Sequence, residues 1–232
     1  MRSVSRSAYA AVSGVLALLW GSQALATQYL VTSTGIIRDG LDETGVVGPA
    51  NTSLDGVAYT LSMMVNTDVG TVDETGQFKF YNSQMTSPSL VTAQLTILGT
   101  SFDIQGVFDS EVLINHGGSS WVFSQDTQHF PDAGNGPRTV NAYVNLQEEL
   151  HPSDIDDFGV SNCGPFQCSG VFEIEDYVND HNNLTYSRHI YAAFTPSSIS
   201  VTSVPEPGAW ALLLAGFAAT GLLLRRRRPL AG

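Results

Sequence analysis

Val91-Thr92-Ala93-Gln94-Leu95-Thr96-Ile97 is the most regular alternating stretch of this 232-residue sequence, and the break Gly99-Thr100-Ser101 follows it closely. Its four apolar residues share one parity and its three polar residues share the other, as in a strand with one buried face. A second alternating row starts at Phe102 and extends to Ile114. Two such rows around a short glycine-containing break predict an antiparallel hairpin, and Gly106 in the second row predicts a bend or bulge.

The same alternation covers much of the chain on both sides of this hairpin. It occurs at residues 29–31, 59–65, 78–80, 121–123, 140–147, 172–176 and 184–201. Residues 35–56 are rich in Gly and Asp and are interpreted as a long loop, and residues 68–76 as a turn. About eight strands with almost no helix predict an all-β domain. We expect an antiparallel β-sandwich, with a jelly roll or a closed barrel as the alternative.

Residues 1–26 have the features of a secretory signal peptide. Arg2 and Arg6 form a positive start, residues 8–20 are apolar, and Ala24 and Ala26 occupy the small-residue positions of a cleavage site. Cleavage by signal peptidase after Ala26 would leave an extracytoplasmic β domain at residues 27–203.

The C-terminal tail combines three elements. Pro205-Glu206-Pro207 comes first, the uncharged apolar run 209–224 follows, and Arg225-Arg226-Arg227-Arg228 comes last. The run would form a helix of about 24 Å, short of the roughly 30 Å hydrocarbon core, and bilayer thinning accommodates that difference. Arginines remain on the cytoplasmic side, so the tail predicts a single short transmembrane helix with the preceding domain outside.

This tail, residues 204–228, closely resembles the PEP-CTERM sorting signal. The resemblance implies that Pro205, Glu206 and Pro207 are the recognition box for an exosortase, and that the tail is removed. It implies a membrane-retention role for the four charges Arg225, Arg226, Arg227 and Arg228. It also implies a Gram-negative host, transient anchoring in the inner membrane, and delivery to the cell surface or an exopolysaccharide matrix. A single-span anchor that is never cut is the alternative.

The charge of the mature domain excludes one class of partner. Residues 27–203 contain four basic residues (Arg38, Lys79, Arg138 and Arg188) and 21 Asp and Glu, which gives a net charge of −17. Such a surface repels nucleic acid and invites divalent cations. We therefore expect no nucleic-acid binding.

The two cysteines of the chain are Cys163 and Cys168, in Cys-Gly-Pro-Phe-Gln-Cys. In an oxidising compartment, four intervening residues with a Gly-Pro turn predict a small disulfide loop.

The densest acidic segment contains Glu148, Glu149, Asp154, Asp156 and Asp157. A solvated acidic loop is the simplest interpretation. Asp154, Asp156 and Asp157 are also weak calcium candidates, because carboxylate oxygens suit that ion, although no complete twelve-residue calcium loop is present.

Five aromatic residues have two possible roles. They could stack against sugar rings from one face of a sandwich, or they could fill its core, and we interpret Trp121 as a core residue. The five are Trp121, Tyr143, Tyr177, Tyr186 and Tyr191.

No catalytic residue is predicted, because neither a Gly-x-Ser-x-Gly elbow nor a His-Glu-x-x-His motif is present. The first interpretation is a non-enzymatic protein of the envelope or exopolysaccharide matrix. The alternative is a carbohydrate-binding β-sandwich, in which calcium could assist binding, and a secreted hydrolase is the third interpretation. No other cofactor is expected.

Overall fold

In the computed structural model, strands dominate the described residues, which are 28–85, 88–116, 118–130, 138–148, 154–155, 158, 167–180 and 183–204. They fall within one compact unit, Thr27–Val204. Over these ranges, no helix has the length and hydropathy needed to span a membrane. The predicted signal peptide and the predicted transmembrane helix lie outside the described residues.

Twelve strands occur in this part of the chain, and every pairing is antiparallel. They are β1 Gln28–Asp42, β2 Thr52–Ser53, β3 Ala58–Asn66, β4 Thr71–Thr75, β5 Phe78–Gln84, β6 Val91–Ile97, β7 Thr100–Ile104, β8 Asp109–Asn115, β9 Ser120–Phe130, β10 Arg138–Glu148, β11 Cys168–Asp180 and β12 Asn183–Val204.

The strands form one sheet in the order β4-β5-β8-β9-β10-β11-β12-β1-β3-β6-β7, with β2 paired to β1. The sheet curls until its two halves pack face to face. Ser124 Oγ on β9 donates to the carbonyl oxygen of Val91 on β6 at 3.0 Å. The ring of Phe102 on β7 lies 5.1 Å from that of Phe172 on β11. The predicted all-β antiparallel sandwich is therefore confirmed, and a single curled sheet supplies both of its layers.

The hairpin predicted from the sequence is present as β6 and β7. Leu95 pairs with Phe102 and Ala93 with Ile104. The apolar parity of β6 is buried while Thr92, Gln94 and Thr96 remain at least partly accessible. Burying each Leu or Ile of this row stabilises the fold by about 1.5–3 kcal/mol, so the row anchors one layer of the core.

The apolar row from Phe102 to Ile114 forms two strands rather than one. The chain breaks at Gly106, where φ is +65°. A Cβ there would overlap the Val91 carbonyl oxygen and lie 2.7 Å from Ser124 Oγ. The predicted bend is therefore the point where the chain crosses from the β6–β7 end of the sheet to β8.

Two segments expected to be irregular contain strands. β1 continues through the predicted loop as far as Asp42, because β12 pairs with it along this whole length. Two register shifts, at Thr34/Gly35 and Ile37/Asp39, absorb the glycine-rich sequence. The predicted turn at 68–76 contains the exposed edge strand β4.

A buried carboxylate organises the turn after β1. Both oxygens of Asp42 accept backbone N–H bonds of 2.7–3.0 Å, and the side chain is inaccessible to solvent. The donors are Gly45, Val46, Val47 and Gly48. Burial raises the pKa of Asp42, but the four donors together outweigh this effect, so its pKa lies below the usual value.

We expect Asp42→Asn to destabilise the protein by roughly 2–4 kcal/mol at pH 7, because an amide cannot accept from all four donors. A carboxylate with a depressed folded-state pKa contributes stability above its unfolded pKa, near 4, and loses it as the pH falls. Urea unfolding at pH 7 and pH 3 should therefore show a larger difference at pH 7. Asp39→Asn, at an exposed position on the same strand, is the control, and an equal effect of both substitutions would contradict this role.

We expect Gly106→Ala to destabilise the protein by about 2 kcal/mol more than Gly99→Ala. Both glycines have positive φ, but a Cβ on Gly99 would meet no atom within 4 Å. The difference in free energy of unfolding between the two variants therefore isolates the overlap at the crossing from the strain of the backbone. Similar losses in thermal unfolding would show that the crossing is not tightly packed.

Candidate functional site

The outward face of strands β9 to β12 carries a group of aromatic side chains. Their neighbours of opposite parity, including Val122, Val144 and Phe172, are buried in the core. The aromatic residues are all partly exposed, and we call them the aromatic face: Trp121, Phe123, Tyr143, Tyr177, Tyr186 and Tyr191.

Several of these rings contact one another. Tyr186 stacks on the imidazole of His189 with centroids 4.6 Å apart, and Tyr177 meets Tyr186 edge-on at 5.7 Å. Phe123 and Tyr143 are 6.2 Å apart on neighbouring strands. The register shift at Asp176/Tyr177 offsets β11 from β12 at this point, and Tyr177 still pairs directly with Tyr186. The rings are therefore held by strand pairing and by one another.

His189, on β12, lies between two carboxylates. Its Nδ1 is 2.8 Å from Oε2 of Glu43, and its Nε2 is 3.1 Å from Oε1 of Glu173. The backbone N–H of His189 donates to Thr44 Oγ1 at 2.8 Å, and the N–H of Glu43 donates to the carbonyl oxygen of His189 at 3.1 Å. These hydrogen bonds hold Glu43 and Thr44, which follow β1, beside the imidazole of His189.

A second glutamate stands beside Glu173 on the same face of β11. One donor atom each from Glu173, Glu175 and His189 lies within 4.8 Å of the other two. The hydroxyl of Tyr143 donates to the second oxygen of Glu173 at 2.8 Å. We call Glu43, Glu173, Glu175 and His189 the Glu–His cluster.

Several carboxylates lie close together in the Glu–His cluster, and they affect the pKa values of Glu175, His189 and Tyr143. Burial raises the pKa of Glu175, and repulsion by Glu173 raises it further. Burial lowers the pKa of His189, but hydrogen bonds to Glu43 and Glu173 raise it by more, so the net pKa lies above its usual value. Burial and the Glu173 carboxylate both raise the pKa of Tyr143. The cluster therefore favours bound positive charge.

Amide and hydroxyl groups lie next to the rings. Gln125 Nε2 and Thr127 Oγ1 both donate to Oδ1 of Asn141, each at 2.9 Å. The aromatic face thus places apolar ring surfaces beside neutral donors and acceptors, which together could hold a ligand with both apolar and hydroxylated surfaces.

The other half of the sheet has a different outward surface, which we call the hydroxyl face. Pairs of hydroxyls bridge its strands, with Thr32 and Ser200 2.6 Å apart and Thr34 and Ser198 2.8 Å apart. Thr60 pairs with Thr96 in the next strands of this face. The two outward surfaces of the curled sheet are therefore chemically distinct.

The interpretation of Trp121 as a core residue is wrong, because it is partly exposed on the outward parity of β9. All five aromatic residues considered as sugar platforms belong to the aromatic face. The Glu–His cluster was not predicted. The alternation placed Glu173 and Glu175 on one face of their strand, but nothing local in the sequence linked them to His189 or Glu43.

The predicted acidic loop separates into residues with different environments. Glu148 is fully buried at the end of β10. Asp154 accepts from Lys79 Nζ at 3.3 Å, which already supplies it with a positive partner. Glu149, Asp156 and Asp157 lie outside the described residues, so the calcium site at Asp154, Asp156 and Asp157 stays a prediction.

The remaining predicted sites fall largely outside the described part of the chain. Cys168 is buried at the start of β11, whereas Cys163 lies outside the described residues, so the disulfide stays a prediction. The same holds for the cleavage alanines Ala24 and Ala26, the box 205–207 and the arginines 225–228.

Comparison with known proteins identifies the tail. Residues 203–228 match the family model of the PEP-CTERM protein-sorting motif. No curated protein and no solved structure gives a significant match to the chain. The C-terminal tail thus carries a PEP-CTERM sorting motif, which implies an exported protein that is processed by an exosortase.

Proposed function

We propose that the protein is a non-enzymatic component of the cell envelope or of an exopolysaccharide matrix. The observation that carries this proposal is the sorting motif at residues 203–228. It begins where β12 ends at Val204, so removal of the tail would release a complete β domain outside the membrane. A domain of net charge −17 would remain dispersed and soluble through self-repulsion after release.

The aromatic face supports a second and compatible function, the binding of carbohydrate. Sugar rings present apolar C–H surfaces that pack on aromatic rings, while their hydroxyls bond to amides and carboxylates. Rings on four adjacent strands extend across about 14 Å of sheet, which is long enough for a chain of sugars rather than one ring. The hydroxyl face lacks such a group of rings among its described residues. We infer that matrix polysaccharide binds across β9 to β12.

The sorting proposal predicts the mass of the protein recovered from its native host. We expect the wild type to have lost both residues 1–26 and the tail. Glu206→Ala should retain the tail, because the substitution alters the box that the exosortase recognises. Intact-mass spectrometry of both forms is the measurement.

Asp55→Ala, at an exposed acid of the β domain, is the matched control and should be processed like the wild type. An intact tail in the wild type would overturn the sorting proposal and leave a membrane-anchored domain.

The carbohydrate proposal predicts that Trp121→Ala weakens binding to polysaccharide isolated from the host matrix by roughly tenfold. That loss is about 1.4 kcal/mol, the scale of one aromatic stacking contact. Affinity electrophoresis in polysaccharide-containing gels measures it. Thr60→Ala, on the hydroxyl face, should bind as the wild type does. Loss of binding in Thr60→Ala with full binding in Trp121→Ala would show that the polysaccharide binds the hydroxyl face, and this would contradict the proposal.

A further inference from the structure

Three side chains of the Glu–His cluster converge as a set of metal ligands. Glu173 and Glu175 project from the same face of β11, and His189 projects beside them from β12. One donor atom from each lies within 4.8 Å of the others. We propose that Glu173, Glu175 and His189 bind a divalent transition-metal ion of the Zn²⁺ class. This site goes beyond the proposed matrix function and does not depend on the sorting of the protein.

The imidazole is oriented for this role by a residue outside the ligand set. Glu43 follows β1 and accepts a hydrogen bond from Nδ1 of His189 at 2.8 Å. A carboxylate on Nδ1 would hold the proton at that nitrogen in the metal-bound protein, so that Nε2, which faces Glu173, could bind the ion. Metal-binding histidines are supported by carboxylates in this way. In the metal-bound protein, the ion would take the place of the Nε2 proton.

Glu173 is oriented by a second supporting residue. Tyr143, on the neighbouring strand β10, donates to Oε2 of Glu173 at 2.8 Å. The other oxygen, Oε1, is the one that faces His189 Nε2 at 3.1 Å. The ligands therefore come from two central strands and are aimed by groups on two further elements, which limits the rearrangement needed to bind an ion.

The charge of the cluster favours a cation. Glu43, Glu173 and Glu175 surround one imidazole, whose side chain is only 13% exposed. The ion pairs that the described strands show for Lys79 and Arg138 are made with Asp154 and Asp176, neither of which belongs to this cluster. A divalent ion would neutralise acids that already repel one another at Glu173 and Glu175.

The donor atoms select the class of metal. Calcium and magnesium take oxygen ligands, whereas an imidazole nitrogen with carboxylates suits zinc, copper, nickel or iron. Three protein ligands leave the fourth position of a tetrahedral zinc site open. That position would belong to water or to an exchangeable ligand. The site differs in both place and chemistry from the calcium site predicted at Asp154.

Isothermal titration of the untagged full-length chain in detergent with Zn²⁺ tests the proposal. We expect one site in the wild type, and at least a hundredfold loss of affinity in both Glu175→Gln and His189→Ala. Glu43→Gln should weaken binding by ten- to a hundredfold, because it removes an orienting group and not a ligand. Ca²⁺ should not compete at equal concentration.

Two controls separate this site from incidental binding. Glu111→Gln changes another partly exposed acid of the outward surface, and His116→Gln changes an exposed histidine. Both should bind Zn²⁺ like the wild type. Glu175→Gln keeps the size of the side chain, and an unchanged midpoint of thermal unfolding without metal will show that it is folded. Absence of binding in the wild type, or retention in Glu175→Gln and His189→Ala, overturns the proposal.

Discussion

The pairing of β1 with β12 joins the two ends of the domain, and the rest of the structure depends on it. The ladder runs from Gln28 opposite Val204 to Asp42 opposite Ile190. Without it, the sheet order would separate into β4-β5-β8-β9-β10-β11-β12 and β1-β3-β6-β7. The second group contains the strands that fold over β9 and β11, so this single ladder allows one sheet to form both layers. Closing such a long loop costs conformational entropy, which the core must offset.

The candidate site depends on the same ladder. Glu43 and His189 are 146 residues apart in the sequence. They come into contact because β1, which Glu43 follows, pairs with β12, which contains His189. Asp42 lies immediately before Glu43, and its carboxylate accepts hydrogen bonds from four backbone N–H groups. These bonds stabilise the turn that follows. A stabilising element of the fold therefore also sets the position of a group in the cluster.

Local alternation was enough to predict most of the long strands, the hairpin of β6 and β7, and the all-β class, but it missed β2 and β4, which lie in segments assigned to a loop and a turn. It could not predict that β1 continues to Asp42, because the partner that keeps this segment extended lies at the other end of the chain. It also misassigned Trp121. The buried parity of β9 carries the small residue Ser124, whose hydroxyl donates to β6, while the outward parity carries the large rings. The large size of Trp121 therefore suggested a core position, although its side chain lies on the outward face of β9.

The two outward surfaces of the sheet differ in the ligands they can hold. A domain of net charge −17 repels anionic polymers, so attraction to a polysaccharide must come from stacking, from neutral hydrogen bonds or from a bridging cation. The hydroxyl face offers mainly the second of these, although it also carries the exposed carboxylate of Asp103. The aromatic face offers rings, the amides around Asn141, and acids that converge on His189. Because all three kinds of attraction meet on β9 to β12, this surface is where the function of the domain should be sought.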